Sequence, residues 1–182
     1  MAIASIPDVV CTGCNGGWMS RIEERCKPLL IALYEGHRGT LNQSEQERLA
    51  TWAILKHFVW HAHRRQAHAT TITARHYLRD HQKPPLGATV TYATYGPGNR
   101  LLVHGSHIRN PAGPVEATSL VLGFGMLRVI YDPSAVYGPL KTMGEANDLM
   151  ADLFPVCPGA VDIPRVKHYE RKTRINFLGP EG

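Results

Sequence analysis

The chain has 182 residues, 43% of them hydrophobic and 19% charged, with a formal net charge of +5. That length suits one domain, or one with a small appendage, and is enough to enclose a packed core. No apolar run reaches the roughly 18 residues that a membrane-spanning helix needs, and no charged segment followed by an apolar one opens the chain as in a signal peptide, so the expected address is the cytoplasm.

Residues Ile3 to Val10 read as a short strand interrupted by Pro7. A Cys-x-x-Cys turn follows, Cys11-Thr12-Gly13-Cys14, and then Asn15-Gly16-Gly17-Trp18. From Trp18 the apolar positions Ile22, Cys26, Leu29, Leu30 and Leu33 recur at helical spacing, with Pro28 expected to kink that helix or start a second one. Gly36 is the expected stop. Ser44-Glu45-Gln46-Glu47 has the form of a capping box and opens a helix over about 45–66. Its apolar residues, Leu49, Trp52, Ala53, Phe58, Val59 and Trp60 among them, cover most of the circumference, as in a buried central helix. Thr71 or Thr73 caps a shorter helix through Leu78, which Pro84-Pro85 terminates.

Beyond Pro85 the period changes from that of helices to that of strands. Thr89 to Ala93 alternates, Gly96 to Asn99 is a turn, Leu101 to His104 is a strand, and 111–114 turns again. Ser119 to Tyr131 reads as one long strand, its Gly123 and Gly125 marking a bulge or sharp coil. Residues 145–154 read as a last helix, followed by a Pro-punctuated, basic tail. The expected class is α+β: a helical first half (1–85) with a knuckle-like turn, packed on an antiparallel sheet in the second half (86–182), in one unit.

Cys11 and Cys14 read as half of a structural zinc site, since such a turn aims two sulfurs at one point and the tetrahedron takes four ligands. Zn²⁺ is therefore the expected cofactor. Three sources could complete the cage. His57 and His61, four apart on the central helix, face one side; Cys26 or Cys157 could add a sulfur; a second copy of the chain could bring its own turn across a two-fold axis. The alternative is that the thiols only pack in a turn.

Arg64, Arg65, Arg75 and Arg79 crowd the segment that also holds His57, His61, His63, His68, His76 and His81. Lys167, Arg171, Lys172 and Arg174 surround Tyr169 in the tail. Both clusters suit a phosphate backbone, the second a single strand; both also suit a solvated surface. Trp52 and Trp60 fit a core better than a base-stacking platform. No phosphate-binding loop, dinucleotide fingerprint or nucleophile–base spacing is present.

The stretch Cys11-Thr-Gly-Cys14-Asn15-Gly-Gly-Trp18-Met19-Ser20-Arg21-Ile22-Glu23 resembles one branch of the HNH endonuclease-like proteins of bacteria and phages. The resemblance extends through Leu49 to Ala53 with Lys56, Tyr77-Leu78 before the paired prolines, and the strands at 89–93 and 119–130. It implies metal-dependent phosphodiester cleavage by an activating histidine and a divalent ion, with zinc only shaping the fold. The pattern's first cysteine pair and activating histidine have no counterpart among these residues. The expectation is therefore a non-catalytic, nucleic-acid-associated protein, its partner nucleic acid or a nucleoprotein complex, with a homodimer possible. One alternative is a phage-type inhibitor or adaptor docking on a host protein complex. The other is an active metal-dependent endonuclease using His57, His61, Glu23 and Glu24.

Overall fold

A computed structural model describes residues 10–35, 40–64, 69–94, 101–110, 113–123, 125–134, 150–155, 159 and 161–162. The first expected strand and the basic tail lie outside them. The cysteine turn forms helix α1 (Thr12–Cys14), whose chain continues through a wide π-type turn, Asn15–Met19, kinked at Gly17 (φ −104°, ψ −110°), into α2 (Ser20–Tyr34). Helix α2 runs through Pro28 without a break. Pro28 is exposed, so the carbonyl that loses its partner there faces water. The buried positions Ile22, Cys26 and Leu33 seat this helix on its neighbour.

That neighbour is α3 (Gln43–His63). Its capping box lies two residues earlier than Ser44 and Glu47 suggest. The Asn42 side chain accepts from the Glu45 N–H at 3.0 Å, and Glu45 accepts from the Asn42 N–H at 2.9 Å. The earlier start brings Gln46 inside, where its amide donates to the carbonyls of Leu41 and Gly159 at 3.0 and 2.9 Å. Leu49, Ala50, Ala53, Ile54 and Leu55 are buried almost completely, each large aliphatic among them contributing about 1.5–3 kcal/mol. Helix α4 (Ile72–His81) is capped by the Thr71 hydroxyl and ends at Gln82 in the left-handed region.

The second half is a five-stranded antiparallel sheet, β2 (Ala88–Thr94), β3 (Leu101–Asn110), β4 (Gly113–Leu122), β5 (Gly125–Tyr131) and β6 (Met150–Phe154), in the order β3-β4-β5-β2-β6. A two-stranded ribbon joins β1 (Thr40–Leu41) to β7 (Val161–Asp162). Helix α3 packs on the sheet, and one core holds Leu49, Ile54 and Leu55 from it together with Val90, Leu127, Val129 and Leu153 from the strands. The fold is α+β, with the helical half packed on the sheet.

Two expectations are corrected. The run Ser119 to Tyr131 is not one strand: it is the end of β4, a reversal, and β5. Gly123 sits at φ +56°, where a Cβ would collide with the Tyr34 carbonyl, so glycine makes the turn here. The 150–154 part of the last expected helix is a strand. Ala151 and Leu153 are buried while Asp152 between them is exposed, and the segment fills the open edge of β2 with Tyr92 opposite Ala151. Five residues with period-two burial and a waiting strand edge outweigh a short helical pattern.

Candidate functional site

The spacing of His57 and His61 on α3 aims both imidazoles at the sheet, and the period of two in β4 aims Glu116 and Thr118 back at them. All are buried: His57 and Glu116 are 0% exposed, and His61 and Thr118 are 1%. The imidazole centroids are 4.5 Å apart. His57 Nε2 is 3.6 Å from Glu116 Oε2. One ligand atom from each of His57, His61 and Glu116 lies within 4.8 Å of the other two. The Thr118 hydroxyl bonds His57 Nδ1 at 2.8 Å and His61 Nε2 at 3.0 Å. A hydroxyl carries one proton, so it can donate to only one of the two rings, and at least one ring donates to it.

Glu116 is held in turn. Oε1 accepts the Ala69 N–H at 2.8 Å and Oε2 accepts the Thr70 hydroxyl at 2.6 Å. Burial alone would push this carboxyl up; the neighbouring His57 ring and the bonds from Thr70 and Ala69 outweigh it and bring it down to about 2. The carboxylate therefore stays ionised in an interior where an unpaired charge costs several kcal/mol. Tyr131 lies opposite Glu116 in the β4–β5 register, and its ring meets Phe58 edge-on at 5.3 Å, closing the site on one side. Burial pushes the Tyr131 phenol up. Two imidazoles and a carboxylate in a dry cage are a donor set that suits a divalent metal ion.

Cys11 and Cys14 are not members of this cluster, the one group of metal-ligand geometry among the described residues. They sit at the surface, Cys11 exposed and Cys14 half-buried. The Cys14 N–H donates to Cys11 Sγ at 3.1 Å. The Cys14 side chain and then this N–H draw the Cys11 thiol down, while its contact with Cys11 pushes Cys14 up. Both thiols border an apolar groove of about 270 Å³ with Trp18, Phe58, Leu78 and Arg75. Cys26, on the buried face of α2, is fully enclosed, and burial raises its thiol to about 12.

Among the expected nucleic-acid contacts, Arg64, Arg75 and Arg79 are exposed. Arg64 covers the Trp60 ring at 4.8 Å. Arg79 pairs with Asp80 at 2.7 Å, and its charge also reaches Cys14. Arg65, Lys167, Arg171, Lys172 and Arg174 lie outside the described residues, as does Cys157. Trp52 is buried, in keeping with a core role. Glu23 pairs with Lys56 and Glu24 with Lys27, so neither joins the two histidines. Glu116 was invisible to sequence spacing. It lies 55 or more residues from the histidines, and only the sheet register brings it to them. A lone charged residue in a strand otherwise of apolar and hydroxyl side chains is the signal available.

The chain matches no family model, no curated protein and no solved structure. No helix among the described residues is long and apolar enough to cross a membrane.

Proposed function

We propose that this chain is a non-catalytic, nucleic-acid-associated protein built on a scaffold similar to the HNH endonuclease-like proteins. The observation that carries the reading is a cationic surface beside the cysteine turn. Arg75 borders the same groove as Cys11, Cys14 and Trp18, and the charge of Arg79, one turn further along α4, reaches Cys14. Arg64 at the end of α3 adds a third exposed guanidinium. Among the described residues no carboxylate pairs with Arg64 or Arg75, so both are available to phosphate. Burial supports the non-catalytic part: His57 and His61 lie in the interior, out of reach of a phosphodiester.

Fluorescence anisotropy with short labelled single-stranded DNA, RNA and duplex tests the proposal. Affinity falls steeply as salt rises from about 50 to 200 mM, and Arg75→Ala reduces the log–log salt slope by about one. Binding that ignores salt, or none at low salt, overturns it. Nicking of plasmid in the presence of Mg²⁺ or Mn²⁺ overturns the non-catalytic part.

One observation favours a second reading, a module that docks on another protein. The groove beside the cysteine turn is lined mainly by Val10, Trp18, Met19, Phe58, Val59 and Leu78, and an apolar groove of that kind accepts an apolar side chain of a partner. A complex that survives nuclease treatment distinguishes this reading from the first.

A further inference from the structure

We propose that His57, His61 and Glu116 form the protein ligands of a buried mononuclear zinc-type site that clamps α3 onto β4, separate from the cysteine turn. Three observations carry this. The first is geometric: the three ligand atoms lie within 4.8 Å of one another, close enough to share one ion after small side-chain shifts. The second is chemical. Two neutral imidazoles and one carboxylate make an N₂O set with a single negative charge, which a divalent cation of the first transition row matches better than Mg²⁺ or Ca²⁺ does.

The third is the outer shell. Metal-bound imidazoles and carboxylates are oriented by hydrogen bonds on their far sides. His57 presents Nε2 to Glu116 and holds Thr118 through Nδ1. Glu116 is fixed by the Ala69 N–H and the Thr70 hydroxyl. Thr118, bonded to His57 on the Nδ1 side, belongs to this outer shell, so the fourth position falls to a water. A single imidazolium–carboxylate pair needs only one ring; here two rings, one helical turn apart, converge on one carboxylate. The site is sealed, so its role is structural: it fixes the helix, the strand and the 69–70 segment to one point.

The test uses the full chain, refolded with equimolar Zn²⁺ because the site is closed to solvent. Elemental analysis finds about one zinc per chain in wild type and in the Cys11→Ser/Cys14→Ser double variant, and loss of it in Glu116→Ala. X-ray absorption on that double variant finds nitrogen and oxygen neighbours with imidazole scattering and no sulfur shell, a readout that needs no core substitution to fold. At about a hundredfold excess of zinc over its Kd, wild-type Tm rises by about 5–10 °C. A sulfur shell, loss of zinc on changing the two cysteines, or no zinc uptake on refolding overturns the proposal. The result is independent of nucleic-acid binding, which can fail while the site stands.

Discussion

Glu116→Ala isolates the energetic weight of the buried carboxylate. The side chain is fully enclosed and receives the Ala69 N–H, the Thr70 hydroxyl and the His57 ring. Truncation strands two hydrogen-bond donors at about 1–3 kcal/mol each. It also leaves any charge on the imidazoles without its counter-ion, and breaking a buried pair in this way costs about 3–5 kcal/mol in all. These figures overlap rather than add, and the expected loss is about 4 kcal/mol. With a urea m-value of about 2 kcal/mol per molar, the unfolding midpoint falls by about 2 M. Glu116→Gln keeps one carbonyl acceptor for Ala69 and lets Thr70 accept instead of donate, so its loss is about half as large. The assay is urea unfolding followed by tryptophan fluorescence, with a chelator present so that metal linkage does not contribute. A Glu116→Ala midpoint within about 0.5 M of wild type refutes the reasoning, because the donors would then have found other partners.

Leu153→Ala tests the strand at 150–154: Leu153 is fully buried in the core shared with α3, and the expected loss is about 2–5 kcal/mol in the same urea assay, against a near-neutral result if the segment were an exposed helix end. Alkali tests Cys26. Its folded thiol is raised to about 12 from the ordinary value of 9.0, so its stabilising contribution is whole below pH 9 and is lost as pH climbs from 9 towards 12. The wild-type stability curve therefore falls more steeply over that window than the Cys26→Ala curve, by up to about 1.4 kcal/mol per pH unit, and parallel curves refute the shift. At pH 7.5 iodoacetamide, mapped peptide by peptide, modifies Cys11 well before Cys26, because one thiol is exposed and drawn down while the other is buried and raised.

Local chemistry made the helices legible and left their details to packing. The length and central place of α3 follow from its apolar circumference, yet two overlapping cap patterns, Asn42 with Glu45 and Ser44 with Glu47, look alike on paper. Burial of Gln46 favours the first, since its amide then meets two carbonyls. In the sheet, Gly123 looked like a bulge because turn and bulge both use glycine; the partner strand opposite it decides between them. Strand β6 is not legible in its own five residues because its stability lies in pairing with β2, some 60 residues earlier. The same holds for the candidate centre. The histidine half was readable from an i, i+4 spacing, while the carboxylate half is written only in the register of β4 against the helix.

The strand order has a consequence for synthesis on the ribosome. Strand β2 is an interior strand with two neighbours, β5 and β6, which leave the exit tunnel after it. At about 5–20 residues per second, the nascent chain waits several seconds between emergence of β2 and arrival of its last neighbour. During that interval one flank of a β-branched segment has no hydrogen-bonding mate, so the growing polypeptide offers a binding site for a chaperone or for a neighbouring nascent chain. Slowing translation downstream of Tyr131 would lengthen that vulnerable period without altering a single native contact.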